Sequence, residues 1–200
     1  LNMNTIYFVM GKSSSGKDSI SNELIRYSGM KYLMPCTTRP MRRGESEGNP
    51  YHFIKESQVE DEMIAKAVYH REDGSYYYGF MKQLLEIDSD YLAVASPEQI
   101  TELFKTYGKD FKLVVIEIIT DEENRIIHAI EREEATDKNY KEVCRRIRTD
   151  RQDFTVNNSD YEMIMKNADD LFKLYNDYEM KPDEIAKEFL DRIGYRRNEE

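Results

Sequence analysis

The chain has 200 residues and carries 39 Asp and Glu against 29 Lys and Arg, for a formal net charge of −10. That balance excludes a general nucleic-acid binder, which needs a basic field. Two distant cysteines, Cys36 and Cys144, and three scattered histidines, His52, His70 and His128, give neither a disulfide framework nor zinc spacing. No apolar run has the length of a membrane span, and the amino terminus lacks the features of a secretion signal. The expectation is therefore a single domain in a reducing cytoplasm, with no nucleic-acid and no membrane partner, as a monomer or homodimer.

In chain order, the first predicted element is an apolar strand at 5–10, followed by Gly11-Lys12-Ser13-Ser14-Ser15-Gly16-Lys17 and an amphipathic helix over 17–28. Strand, glycine-rich loop and helix in this order match G-x-x-x-x-G-K. Glycines let the backbone turn so that several N–H groups face one anion, and the helix adds the positive end of its dipole. Lys17 supplies a point charge for the β- and γ-phosphates. Candidate phosphate-binding residues are thus Gly11, Lys12, Ser13, Ser14, Ser15, Gly16, Lys17, Asp18 and Ser19. The position after the lysine ordinarily holds Ser or Thr as a Mg²⁺ ligand; here it is Asp18, then Ser19. A carboxylate is also a hard ligand for Mg²⁺. Asp18 and Ser19 are therefore both candidate metal ligands, and an acid in the first helical turn equally suits the dipole.

Further strands are predicted at 31–36, 91–95, 112–119 and 161–166, and further helices at 56–67, 97–107, 121–133, 139–156, 168–179 and 183–193. Alternation of this kind predicts a three-layer α/β/α fold with a central parallel sheet. The run Leu113–Ile119 is nearly all apolar, as a strand covered on both faces should be. Short strands around 51–54, 68–72 and 76–79 fit a small separate sheet. Leu171, Leu174 and Tyr175, then Ile185, Phe189 and Ile193, recur at helical spacing and are expected in the core. The charged tail, Arg196 to Glu200, is expected to fray.

After the second strand the chain reads Thr37-Thr38-Arg39-Pro40-Met41-Arg42-Arg43-Gly44-Glu45-Ser46-Glu47-Gly48-Asn49-Pro50-Tyr51-His52-Phe53, a loop with guanidinium forks suited to phosphate. Tyr77-Tyr78-Gly79 and the pair Arg132 and Arg146-Ile147 follow. With the first loop, these segments resemble the guanylate kinase family of P-loop nucleoside monophosphate kinases, across nearly the whole chain. The resemblance implies a core at about 3–35, 80–128 and 157–195, a monophosphate-binding subdomain at 36–79 and a lid at 129–156. It implies ATP as donor with Mg²⁺, and a nucleoside monophosphate, foremost GMP, as acceptor. It also implies that Arg39, Arg42, Tyr51 and Tyr78 hold the acceptor phosphate, and that Arg132 and Arg146 act with Lys17 in catalysis.

On helix 139–156, helical spacing puts Tyr140, Val143, Cys144, Ile147 and Phe154 on one face, flanked by Arg146 and Arg148, with Arg151 inside it and Arg145 opposite and solvated. The departures from the family concern the base. Its guanine-reading positions hold Pro35, Tyr69, Phe80 and Ser96, with Glu72 and Asp73 near Tyr69, and His128 stands where a lid arginine is usual, which shifts lid chemistry to Arg132, Arg146 and Arg148. The alternatives are a kinase for a deoxynucleotide or another phosphorylated small molecule, and a non-catalytic binding module of the same family.

Overall fold

A computed structural model describes residues 3–42, 44–71, 74–135 and 138–195. Glu72, Asp73, Arg43 and the tail from Arg196 to Glu200 lie outside the described residues. The first strand sets the layers. β1 (Thr5–Gly11) is buried along its whole length, and its alternate residues face opposite sides. Ile6, Phe8 and Met10 join a core with Ile100, Leu103 and Phe104 of α3 (Pro97–Tyr107) and Ile164 of α6 (Ser159–Asn167). Tyr7 and Val9 join a second core with Ile20 and Leu24 of α1 (Lys17–Ser28) and Ile185, Phe189 and Leu190 of α7 (Pro182–Arg192).

The main sheet adds β2 (Lys31–Tyr32), β7 (Tyr91–Val94), β8 (Lys112–Ile119) and β9 (Asp170–Tyr175). Its order is β2-β7-β1-β8-β9 and every pair is parallel. The small sheet contains β3 (Pro35–Thr37), β4 (His52–Phe53), β5 (Met63–Arg71) and β6 (Gly74–Met81) in the order β4-β3-β6-β5. α4 (Glu122–Glu134) and α5 (Tyr140–Asp153) follow β8. The first loop thus leaves the C-terminal end of the middle strand, where open parallel sheets bind ligands.

Four predicted elements are corrected. Residues 161–166 are not a strand but α6, started by Asn158, whose side chain accepts from the Asp160 and Tyr161 amides at 3.0 Å each. Residues 168–179 are not a helix: β9 pairs with β8 from Val114↔Asp170 to Ile119↔Tyr175. Its true period is two, with Leu171 in one core and Phe172 and Leu174 in the other, while Tyr175 is exposed. The predicted helix 56–67 stops after a 3₁₀ turn (Glu56–Gln58) and the single turn α2 (Val59–Glu62). From Met63 the chain pairs with β6 instead, so cross-strand packing overrides local propensity. The predicted strand 31–36 is divided, β2 joining the main sheet and β3 the small one.

Candidate functional site

One cleft of about 830 Å³ lies between the first loop, the small sheet, the start of α3 and the inner face of α5. Gly11, Ser13, Ser14, Gly16, Lys17, Asp18 and Ser19 line it. Ser15 lies beneath the loop, fully buried, and Lys12 is absent from the lining. Gly16 takes a left-handed φ of +83°, and a Cβ there would come within 2.3 Å of the Asn176 amide; only glycine fits.

The loop is held by its carbonyls. Arg125 Nη1 donates to Ser13 O at 3.1 Å and the Tyr178 hydroxyl donates to Ser14 O. Thr120 Oγ1 and Asn176 Nδ2 donate to Ser15 O at 3.1 and 2.8 Å. A trans peptide points its N–H away from its C=O, so these contacts turn the Ser14 and Gly16 amides inward. The Ser15 amide is used within the loop, on Lys12 O at 3.1 Å. The hydroxyls of Ser14 and Ser15 are buried without a hydrogen-bond partner among the described residues. The Lys17 ammonium lies 3.7 Å from the Asp18 carboxylate, which is 80% exposed. Inward amides, the orphan Ser14 hydroxyl at the cleft and a cation together suit a polyphosphate.

The wall across the cleft is built by Thr37 and Thr38, which stitch β3 to β6. Thr37 Oγ1 donates to Tyr77 O at 2.8 Å, and Tyr77 N donates to Thr38 Oγ1 at 3.0 Å. That fixes Arg39, which is 5% exposed and makes a bidentate pair with Glu45 at 2.6 Å on each arm. Its guanidinium also lies 5.2 Å from the Tyr51 ring and 5.4 Å from the Phe53 ring. Hydrogen bonding from Arg39 holds the Glu45 carboxyl below its usual range. Arg42 is exposed, and its amide donates to Glu45 Oε2 at 2.8 Å. Arg39, Arg42, Tyr51 and Tyr78 all line the cleft. Tyr51 and Tyr78 meet edge to face at 5.7 Å.

α4 and α5 close the third side. Glu142 receives Arg145 Nε at 2.7 Å, Arg145 Nη2 at 2.9 Å and Arg146 Nε at 3.0 Å. Burial opposes ionisation of Glu142, but the hydrogen bonds and charges of both arginines hold its carboxyl down at about 2. Burial, then the like charge of Arg146, lowers the pKa of Arg132. Two arginines held near each other at the cleft suit an anion between them. Asp150 joins α5 to the loop: its carboxylate accepts the Ser13 amide at 3.0 Å and hydroxyl at 3.1 Å, and Arg125 Nη1 at 3.0 Å.

Several expectations for α5 are corrected. Arg145 is not solvated; it lines the cleft with its guanidinium 5.8 Å from the Tyr69 ring. Arg148 is exposed and absent from the lining. Arg151 faces outward, 67% exposed, and pairs with Glu122 at 2.9 Å. Tyr140 and Cys144 are exposed, so of the expected apolar face only Val143 is fully buried. Of the positions aligned with base reading, Pro35, Tyr69 and Ser96 line the cleft, whereas Phe80 is buried in the core. His128 also lines it, its ring 3.8 Å from that of Tyr178.

Thr120, Arg125, Asp150, Asn176 and Tyr178 were invisible in the sequence. Each contacts the loop directly from 105 to 164 residues away in the chain, and no local pattern marks such a contact. Glu45 alone had a signal, lying inside the arginine-rich motif.

The family model described as guanylate kinase matches residues 3–179. A guanylate kinase of Sulfurimonas denitrificans is 41% identical over 80 residues, covering 37% of this chain and 37% of that protein. One of Aliivibrio fischeri is 36% identical over 87 residues, covering 41% and 42%. The matched segment thus spans less than half the length of these curated relatives. The crystal structure of guanylate kinase from Anaplasma phagocytophilum superposes with a TM-score of 0.53 at 14% identity, over 98% of this chain and 91% of that one, a likeness of fold.

Proposed function

The chain belongs to the guanylate kinase family, and we propose that it transfers the γ-phosphoryl group of ATP to a nucleoside monophosphate, GMP, giving ADP and GDP in the cytoplasm. The single observation that carries this reading is the facing of two groups of phosphate-suited residues across one cleft. On one side stands a loop whose amides are turned inward, with Lys17. On the other stand Arg39, Arg42, Tyr51 and Tyr78.

The acceptor oxygen of a monophosphate is already anionic, so no strong general base is required. Positioning and positive charge do the chemistry. In this reading Lys17 and the loop amides hold the donor, while Arg39, fixed by Glu45, aims the acceptor phosphate at it. Arg132 and Arg146 meet the charge that spreads over the transferred group, and the lid, about 129–156, excludes water. Contributions of this kind are worth ~10³–10⁵ in rate.

The residues present fit Mg²⁺. Among the described residues no group of three or more His, Cys, Asp or Glu forms a cage, but Mg²⁺ commonly takes one or two carboxylates and completes its shell with phosphates and water. The exposed Asp18 carboxylate and the Ser19 hydroxyl, both at the cleft, are the residues proposed to hold it. Bound with ATP, the ion offsets negative charge on the phosphate oxygens.

A coupled assay of ADP production with ATP, Mg²⁺ and a panel of monophosphates tests the proposal. Turnover is expected with GMP, and Lys17→Ala should lower kcat by roughly 10²–10³-fold with an unchanged circular-dichroism spectrum. Absence of turnover with every monophosphate, or a Lys17→Ala variant of near-normal rate, overturns it.

A further inference from the structure

The cleft-facing surface of α5 carries two ridges. Glu142, Arg146 and Asp150 recur at i, i+4 and i+8, as do Arg145, Thr149 and Asp153, and all six line the cleft. Residues four apart on a helix stack along one side. The first ridge runs to the donor loop, through the contact of Asp150 with Ser13. The second runs to the small sheet: Arg145 sits over the Tyr69 ring, and the Asp153 charge acts on the Tyr69 hydroxyl.

The corner that the second ridge faces is aromatic. Tyr69 meets Tyr78 edge to face at 5.2 Å, and Phe154 closes the end. The sheet and core offer this corner little free polarity. Pro35 has no N–H to give. Ser96 is spent on capping α3, its Oγ accepting from the Gln99 amide at 3.4 Å, and Gln99 Nε2 is spent on Tyr78 O at 3.3 Å. Asp153, by contrast, makes no hydrogen bond or ion pair among the described residues and is half-buried beside the corner. A half-buried carboxylate without a partner is costly unless a ligand supplies the donors.

We propose that the Arg145–Thr149–Asp153 ridge of α5 reads the Watson–Crick and Hoogsteen edges of the acceptor's guanine, in place of groups on the small sheet. The proposal rests on the kinase reading of the cleft and names how that site selects its substrate. The pattern of groups matches one base. A carboxylate accepts from N1–H and the 2-amino group, and an arginine donates to O6 and N7; adenine presents no such edge. Base selection then belongs to the element that also carries Arg146, so a correct base draws catalytic charge into place as it is read.

The test compares GMP with IMP, which lacks only the 2-amino group, and with AMP, by calorimetric titration and by steady-state rates at pH 8. The wild type should prefer GMP over IMP by at least tenfold. Asp153→Asn should raise the GMP KM at least tenfold, abolish the GMP-over-IMP preference, and leave the ATP KM within twofold. Arg145→Lys, which keeps the charge and loses the fork, should weaken GMP and IMP alike; melting curves confirm that both variants fold. If the wild type uses GMP while Asp153→Asn keeps both the GMP KM and the IMP ratio, the proposal is overturned and the kinase reading stands. A wild type that prefers AMP also overturns it. If the wild type neither binds nor phosphorylates any monophosphate, the kinase reading falls first and takes this one with it.

Discussion

Burial, and after it the carboxylates of Asp150, Glu98 and Asp160, push the Asp153 carboxyl up to about 6. Asp150 lies on the same helix, Glu98 on α3 and Asp160 on α6, and the Tyr69 hydroxyl faces it from β5. An unfolded aspartate titrates near 3.9, so the folded state binds the proton more tightly. Below about 4 both states hold the proton and Asp153 costs nothing; as pH rises through 6 the folded state must carry a disfavoured charge. Asp153→Asn is therefore expected to raise the Tm at pH 8 and to leave it unchanged at pH 4, read by differential scanning calorimetry. A Tm gain at pH 4 alone would contradict that assignment. That Lys17, Arg39 and Tyr51 line one cleft is legible residue by residue, because a motif with a physical reason surrounds each. Arg145 is not: helical projection gives its angle but not which neighbour its face meets, and the small sheet faces it across the cleft through Tyr69.

At the scale of elements, the strand–loop–helix unit, α3 and β8 were readable because cap, period and composition agree. α3 shows it best, with Ser96 as N-cap, Pro97 at the first position and Gln99 completing the box. α6 and β9 were exchanged because spacing in short segments is ambiguous: Leu171, Leu174 and Tyr175 fit a helix, and the parallel partner β8 lies more than fifty residues earlier. The exchange matters for the site, since the end of β9 delivers Asn176, 4% exposed, to the loop. Asn176→Leu leaves Ser15 O with Thr120 as its remaining partner and puts an apolar group against Gly16. The expected cost is about 1–3 kcal/mol, or a Tm lower by roughly 3–9 °C, together with weaker binding of ATP and unchanged binding of GMP by calorimetry. Equal loss for both ligands would show that Asn176 supports the whole cleft and not the loop.

For the whole molecule, the two subsites proposed on one cleft make stability a reporter of occupancy. A ligand at 100 times its dissociation constant adds about 2.7 kcal/mol. ATP with Mg²⁺ and GMP should each raise the Tm of the wild type. Lys17→Ala should lose the ATP shift and keep the GMP shift, whereas Asp153→Asn should do the reverse. A variant that loses both, or neither, would deny the division of the cleft between its two ends.

The clasp between Ser13 and Asp150 has a thermodynamic consequence. It fastens the last turn of α5 to the first loop, so in the proposed kinase reading the helix acts as a lever with its fulcrum at the donor end and the Arg145 and Arg146 guanidinium groups on the other arm. Any strain that a triphosphate tail places on Ser13 is felt by that lever, and any pull from the nucleobase side is returned to Ser13. Such linkage is reciprocal: the factor by which one substrate tightens the other is the same whichever arrives first.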